Sequence, residues 1–302
     1  MSGRPWLACL SAALIACALS GPGCTTPKTE SPSPAPAYTE VATSMPEAAE
    51  GLAFVVGGRL MVIRDGKSEK ATVRGTVQAV GTVADGGGLL IRDQPGDASA
   101  EVSRYEPASD KMTKLWRSED AGSLGSVRYL SQAESVWFSV FGDPETVLKS
   151  ATPPSSEAMV RALDSSFNGD FDIDSRGEIT AYVGNAQNPS VLMVVDAKGE
   201  SAVPTKLGLI FSPDLSAQGT ELCFVGGQPS EDLSVWIFDR EQGALRELAE
   251  TRQLTPTVPV FSADGANIAF RSAGDGSLWI VDVSSGTPQK LPFVADEGPI
   301  SW

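Results

Sequence analysis

The sequence contains no histidine, which removes the most common general base near neutral pH and the most common metal ligand. It also lacks a surplus of positive charge, because 23 lysines and arginines stand against 38 aspartates and glutamates, for a formal net charge of −15. Proteins that bind nucleic acids usually present clustered basic residues to the phosphates. We therefore expect no nucleic-acid partner, and a histidine-based catalytic triad is excluded.

Cysteine is scarce beyond the N-terminal region, which holds Cys9, Cys17 and Cys24, and the fourth cysteine is Cys223. Their spacing fits neither a zinc site nor a disulfide framework. Cys223 lies between apolar residues in E-L-C-F-V, a pattern typical of a buried thiol that packs as a small hydrophobic residue. No G-x-S-x-G nucleophile motif is present. The sequence therefore predicts no bound metal and no cofactor.

Long hydrophobic runs are missing except near the N-terminus, where W-L-A-C-L-S-A-A-L-I-A follows a single arginine. A short basic start and an apolar stretch of this length predict a secretory signal over residues 1–16 rather than a membrane span. Leu14-Ile15-Ala16-Cys17 resembles the bacterial lipobox, in which the cysteine is lipidated and becomes the mature N-terminus. Cys24 is the alternative, because it follows a longer apolar region and directly precedes a polar segment, although Gly21-Pro22-Gly23 is a poor lipobox.

Residues 17–50 are predicted to form the lipidated N-terminus and a tether. The segment T-T-P-K-T-E-S-P-S-P-A-P-A-Y is rich in proline and serine and cannot bury enough apolar surface to fold. We expect the protein to be lipid-anchored in the cell envelope and to face the periplasm. The residue after Cys17 is Ala18 rather than aspartate, which by similarity to other lipoproteins indicates the outer membrane if the organism has two. The folded domain is expected over residues 51–302.

A repeat organises this domain. The last copy reads F-S-A-D-G-A-N-I-A-F and then L-W-I-V-D, and related segments end in V-W-I-F-D and L-M-V-V-D. The final residues of the three copies, Asp196, Asp239 and Asp282, are spaced by 43 residues. Each is followed three or four positions later by a glycine, as expected for a turn between strands; these glycines are Gly199, Gly243 and Gly286.

Repeats of about 40–45 residues with short strands and tight turns are typical of the four-stranded blades of a β-propeller. The blades are predicted near residues 52–74, 76–118, 124–163, 168–206, 208–250 and 256–293. The first lacks one strand, which residues 298–302 would supply, since a ring left open exposes strand edges that aggregate. We predict an all-β, six-bladed propeller of four-stranded antiparallel blades, closed by the C-terminal strand and monomeric.

The segments F-S-A-D-G and W-I-V-D resemble the WD40-like repeats of TolB-type periplasmic propellers, with their F-S-P-D-G and I-W-V-M-D cores. The resemblance covers about half of the chain closely and weakens before residue 150. It implies a propeller with a docking role in the periplasm. TolB-like proteins carry an α/β domain before the propeller, whereas nothing between residues 25 and 50 could form one, so no TolB contact residue is transferred to this chain.

Carboxylates are the remaining candidates for chemistry. Asp170, Asp172 and Asp174 in G-D-F-D-I-D-S-R-G-E superficially match a calcium loop, but the alternating Phe171 and Ile173 predict a strand instead. Asp196, Asp214, Asp239, Asp264 and Asp282 are interpreted as turn residues. An alternative function is a carboxylate-dependent glycan hydrolase or lyase, which requires two acids about 5–9 Å apart in a central funnel.

The main functional hypothesis is a non-catalytic envelope lipoprotein that docks a protein or an envelope polymer. Second-to-third-strand loops and the links between blades lie on the same face of a propeller, and here they are acidic. Such a face attracts a basic partner by electrostatic steering. The candidate contact residues are six acids, although an acidic protein has acidic loops everywhere; they are Asp143, Glu145, Glu231, Asp232, Asp296 and Glu297.

Overall fold

The computed structural model describes residues 46–71, 79–82, 89–93, 100–106, 109–118, 123–141, 146–153, 158–161, 163, 167–184 and 189–302. The chain divides into Met1–Thr39 and Glu40–Trp302, and every described residue belongs to the second unit. The helices of the described part are two short 3-10 turns, Glu47–Ala49 and Ala249–Leu254. Neither could span a bilayer.

The described strands form antiparallel sheets that follow one another along the chain. The N-terminal sheet has three strands, β1 (Ala53–Val56), β2 (Arg59–Arg64) and β3 (Lys67–Lys70). Each of the next five sheets, here called blades, has four strands. The first blade contains β4 (Ala79–Thr82), β5 (Leu89–Asp93), β6 (Ala100–Glu106) and β7 (Lys111–Ser118). The second contains β8 (Ser123–Leu130), β9 (Ser135–Phe141), β10 (Val147–Ala151) and β11 (Met159–Arg161). The third contains β12 (Phe167–Ile173), β13 (Thr180–Gly184), β14 (Val191–Asp196) and β15 (Gly199–Ala202). The fourth contains β16 (Leu209–Leu215), β17 (Glu221–Gly227), β18 (Ser234–Asp239) and β19 (Ala244–Leu248). The fifth contains β20 (Pro256–Phe261), β21 (Asn267–Ser272), β22 (Ser277–Asp282) and β23 (Pro288–Val294).

The prediction of six four-stranded blades is wrong. Five sheets have four strands, whereas the N-terminal sheet has three in the described part of the chain. The prediction assigned the missing strand to residues 298–302, but their contact with β1 is a single β-bridge between Ser301 and Ala53. Pro299 has no N–H to donate, and Gly298 adopts a φ of 140°, so the segment cannot pair along its length. In the part of the chain that the structure describes, the propeller therefore has five four-stranded blades.

The C-terminal segment nevertheless packs against the N-terminal sheet. Ala53 and Ser301 exchange two backbone hydrogen bonds of 2.8 and 3.0 Å. Ile300 is 2% exposed and lies in an apolar cluster with Leu52 and Phe54. The indole N–H of Trp302 donates to the Glu50 carbonyl at 2.7 Å. These contacts join the two ends of the described chain.

The repeat predicted from the sequence is confirmed by the third strands of the last three blades, because Asp196, Asp239 and Asp282 each end one of them. The following glycines have positive φ values of 106°, 64° and 72°, which glycine adopts without steric cost. An aromatic residue occupies the same position on four second strands and is at most 1% exposed in each; these residues are Phe138, Tyr182, Phe224 and Phe270. They contribute to the apolar cores of the last four blades.

The first strands of the second to fifth blades, β8, β12, β16 and β20, are neighbours in space. Each contains a register shift against its second strand, which is the mark of a β-bulge. Gly169, Ser212 and Val258 have positive φ near three of these bulges. The bulges bend the strands and change the direction of the side chains that follow. Those side chains form the central site.

Candidate functional site in the central channel

A cavity of about 510 Å³ opens where the first strands of the second to fifth blades end. Its wall includes the last residues of these strands, the turns that follow them and Trp302. Cavities of about 300–1,000 Å³ are the usual size for small-ligand sites. The central channel is therefore the candidate site.

The first strands carry four counterpart residues, of which Arg128, Asp172 and Asp214 line this cavity. Register defines the equivalence, because each residue pairs with the same position on its second strand. The four residues are Arg128, Asp172, Asp214 and Val260. Their partners on the second strands are, in the same order, Trp137, Ala181, Cys223 and Ala269. Three neighbouring strands thus bring one arginine and two aspartates to one level of the channel.

Arg128 binds both aspartates. Its Nε donates to Asp172 Oδ1, Nη1 donates to the Val127 carbonyl at 3.0 Å, and Nη2 lies 3.7 Å from Asp214 Oδ1. The Arg128 side chain is 13% exposed, and those of Asp172 and Asp214 are 6% and 8% exposed. Such ions need compensating charge, because removing them from water costs several kcal/mol each. Arg128 supplies that charge to the aspartates of the third and fourth blades.

Each aspartate also binds the backbone of the next blade. Asp172 Oδ2 accepts a hydrogen bond from the Leu215 N–H at 2.6 Å, and Asp214 Oδ2 accepts one from the Phe261 N–H at 2.8 Å. Asp170 Oδ2 accepts a longer bond from the Ser212 N–H at 3.3 Å. The third blade is therefore joined to the fourth, and the fourth to the fifth, by carboxylates from their first strands.

Burial changes the ionisation of this cluster. Burial, assisted by the negative charge of Asp172, raises the pKa of Asp214 well above its ordinary value, although Arg128 and the Phe261 N–H oppose the change. Burial likewise raises the pKa of Asp170. For Arg128, burial lowers the pKa, but Asp172 and Asp214 outweigh it and raise the pKa. The arginine remains charged, whereas Asp214 holds a proton more readily than an exposed aspartate does.

Asp174 lies above the cluster and caps the turn after β12. Its Oδ1 accepts hydrogen bonds from the N–H groups of Glu178 and Ile179 at 2.8 and 2.9 Å. Its Oδ2 is buried and accepts no hydrogen bond from any described residue. Arg176 Nε lies 3.5 Å from that oxygen, in a side chain that is 53% exposed. The oxygen belongs to a residue of the cavity wall.

The structure corrects one of the structural roles that the sequence predicted for the aspartates. The predicted strand through Asp170 and Asp172 is confirmed as β12, and Asp174 occupies the turn. Four of the five predicted turn aspartates do accept turn hydrogen bonds; they are Asp196, Asp239, Asp264 and Asp282. The prediction for Asp214 is wrong, because its side chain is buried against Arg128.

The four predicted docking residues that the structure describes do not line the cavity. Glu231 and Asp232 are exposed in the loop between β17 and β18, and Asp296 and Glu297 are exposed after β23. Asp296 Oδ2 also accepts a hydrogen bond from the Gly58 N–H at 2.9 Å. Asp143 and Glu145, together with the predicted lipidation residues Cys17 and Cys24, lie outside the described residues.

Sequence reasoning missed Arg128. It stands between apolar residues in S-V-R-Y-L, which is an unusual place for a charge within a strand of a soluble sheet. Arg128 and Asp172 are 44 residues apart in the sequence, which is close to the 43-residue spacing of the repeat. A search for charged residues at counterpart positions of the first strands would have found the pair.

Comparisons with protein-family models and with curated protein sequences find no match. Solved structures do match. TolB from Acinetobacter baumannii is similar with a TM-score of 0.68 and 16% identity, over 86% of this chain and 68% of that one. The fold is a TolB-like β-propeller. A TolB-like structure from Agrobacterium tumefaciens has a TM-score of 0.60 and 15% identity, over 77% of this chain and 88% of that one.

The TolB-like propeller also resembles other proteins of different function. An oligogalacturonate lyase in complex with manganese has a TM-score of 0.51 and 14% identity, over 79% of this chain and 70% of that one. Identities this low carry information about the fold alone. The function has to be argued from the residues of this chain.

Proposed function

We propose that this chain is a non-catalytic lipoprotein of the cell envelope whose TolB-like propeller docks a protein or an envelope polymer. One observation favours this proposal over the enzymatic alternative. Asp172 and Asp214 converge in the channel, as an acid pair of a glycan hydrolase or lyase would, but Arg128 and the next blade's N–H groups bind their oxygens. A general acid or base needs an oxygen that can reach the substrate.

The docking surface in this proposal is the face formed by the second-to-third-strand loops and the links between blades. Glu231, Asp232 and Glu297 are exposed there, and the chain has a formal net charge of −15. Negative potential on a face raises the rate at which a positively charged partner arrives. The proposed partner is accordingly a basic envelope protein or polymer.

The double variant E231Q/E297Q tests this face. We expect association with partners captured from solubilised envelopes to slow by up to about tenfold at low salt, because steering charges are removed. The difference should shrink as salt screens the remaining charges. Surface plasmon resonance over a series of salt concentrations measures both effects. Asp296 is left unchanged because its carboxylate accepts a hydrogen bond from the Gly58 N–H.

The matched control is E134Q/E241Q, which removes two exposed charges from the turns at the opposite ends of the strands. The control should associate as fast as the unmodified protein. Equal rates for both double variants at every salt concentration would contradict a docking role for the acidic face.

The anchor is tested separately. We expect the mature protein purified from membranes to begin at Cys17 with a diacylglyceryl group, because L-I-A-C matches the lipobox. Mass spectrometry of the N-terminal peptide identifies the modified residue. A lipidated start at Cys24 would move the site, and a mature chain that begins after residue 24 without lipid would refute the anchor.

A further inference from the structure

The ring of Phe141 lies at the end of the central channel that belongs to the docking face. Phe141 is the last residue of β9, the second strand of its blade, and it is 44% exposed. Its ring fills the space beside two glycines of first strands, since a Cβ at Gly125 would lie 3.0 Å from its Cε2 and one at Gly169 would lie 2.5 Å from its Cε1. Glycine at both positions therefore lets an aromatic ring pack against two neighbouring blades while part of it stays exposed.

A carboxylate and a second exposed ring lie close to Phe141. Asp170 follows Gly169 in β12 and is partly exposed. Its Oδ2 accepts a long hydrogen bond of 3.3 Å from the Ser212 N–H, and no ion pair between described residues includes it. Phe211 directly precedes Ser212 in β16 and is 37% exposed. Two exposed aromatic rings and a carboxylate without an ion-pair partner therefore share one end of the channel.

The described first strands place three aspartates near one arginine. Asp172, Asp214 and Asp170 all act electrostatically on Arg128, but the ion pairs of Arg128 are with Asp172 and Asp214. Burial raises the pKa of Asp170, although the Ser212 N–H and Arg128 oppose the change. A nearby positive group stabilises a carboxylate in such surroundings. The end of the channel therefore favours a second cation.

The rim around this end is acidic as well. Glu231, Asp232 and Glu297 are exposed on the same face. Arg252, a cation of this face, is bound by Glu247 through two hydrogen bonds of 2.6 and 2.8 Å from its Nη2. Protein interfaces commonly have an apolar centre inside a polar rim. Here the centre is aromatic and the rim is negative, which complements a positively charged group with apolar surface.

Arginine combines these two properties. Its planar guanidinium stacks on aromatic rings and binds a carboxylate through two N–H groups, whereas the lysine ammonium is a compact and strongly hydrated charge. An apolar side chain would cover Phe141 and Phe211 but would leave Asp170 further desolvated without a counter-charge.

We propose that an arginine side chain of the docked partner occupies this end of the channel, with its guanidinium stacked on Phe141 and paired with Asp170. The inference rests on the proposed docking function and specifies the partner as a protein segment that presents an arginine. Phe211 adds apolar surface for the methylene groups of that arginine, which pack readily on such surfaces.

Fluorescence anisotropy with the full chain tests the site. The probes are labelled hexaarginine, labelled hexalysine and a labelled neutral peptide of alternating glycine and phenylalanine. We expect hexaarginine to bind at least about fivefold more tightly than hexalysine, because the two peptides carry equal charge and only the guanidinium stacks and binds a carboxylate in one plane. The neutral peptide should bind more weakly than hexaarginine.

Two variants locate the preference. F141L keeps an apolar side chain beside the glycines and removes the ring, so the two basic peptides should bind with about equal affinity. D170N keeps an oxygen for the Ser212 N–H and removes the charge, so hexaarginine should bind about fivefold more weakly or worse. The matched control is M159L, which changes a side chain that is 64% exposed on the outer strand β11; it should bind all peptides as the unmodified protein does.

The variant E231Q/E297Q separates this inference from the docking proposal. It should weaken both basic peptides by similar factors and leave their ratio unchanged, because the rim acts through charge alone. Equal affinities of the two basic peptides for the unmodified protein would refute the arginine site, and so would a preference that persists in F141L and D170N. Tighter binding of the neutral peptide would show an apolar occupant instead. None of these results alters the rates of envelope partners, which test the docking role itself. If one of the two channel variants does not fold, the other decides the location.

Discussion

Replacing Arg128 with methionine is expected to lower the free energy of unfolding by about 3–5 kcal/mol near neutral pH. The change leaves Asp172 and Asp214 buried without a counter-charge. Methionine fills part of the volume of the arginine side chain, so the loss reflects the unpaired carboxylates more than a cavity. Chemical denaturation of the two proteins in urea measures the difference.

The same variant should recover part of this loss in acid. A group whose pKa is raised on folding contributes stability that is present below its unfolded pKa and is lost as the pH rises through its folded pKa. Burial and Asp172 already raise the pKa of Asp214, and removing Arg128 raises it further. The destabilisation should therefore be smaller near about pH 4 than near about pH 7.

The matched control is R176M, which removes the half-exposed arginine of the same cavity. It should cost less than about 1 kcal/mol, as exposed ion pairs usually do. Equal losses in the two variants, or a loss in R128M that does not depend on pH, would show that Arg128 does not compensate the buried acids.

Deleting Ile300, Ser301 and Trp302 is expected to lower the free energy of unfolding by at least about 3 kcal/mol. The deletion removes a buried isoleucine, two backbone hydrogen bonds with Ala53 and the indole bond to Glu50. It also exposes the apolar cluster around Leu52 and Phe54. Thermal denaturation measures the change, and the truncated protein should aggregate earlier on heating.

The variant W302F helps to separate the contributions, because it keeps an aromatic ring but removes the indole hydrogen bond to Glu50 and the second ring. We expect it to cost about 1 kcal/mol. A truncated protein that melts within about a degree of the unmodified one would show that the C-terminal contacts contribute nothing to the propeller.

The sequence predicted the repeat because its signals are local. Asp196, Asp239 and Asp282 end strands that are short runs of consecutive apolar residues, and the following glycines permit a positive φ. Both signals depend on residues adjacent in the chain. Strand positions and turns were therefore accessible without any knowledge of what packs against them.

The number of complete blades was not predicted correctly, because it depends on a contact between the chain ends. A spacing of 43 residues allows a strand at residues 298–302, but Pro299 and the backbone at Gly298 restrict pairing there to Ser301. The TolB-like fold itself was predicted correctly from F-S-A-D-G and W-I-V-D.

The channel cluster was not predicted, for a different reason. β-Bulges in the first strands decide which side chains point into the channel, and a bulge leaves no clear signal in a strand's alternation. Asp214 therefore looked like a turn residue. The acidic residues of the loops were easier to place, since exposed positions follow from the turns, but exposure alone does not identify a partner.

The carboxylates that join the third, fourth and fifth blades also determine what amide hydrogen exchange would report. The N–H groups of Leu215 and Phe261 donate to side chains of the preceding blade, so fraying within their own sheets leaves these bonds intact. Both amides exchange with solvent only when neighbouring blades move apart. Their exchange rates therefore measure separation of the blades, whereas amides paired within a blade report the opening of single sheets.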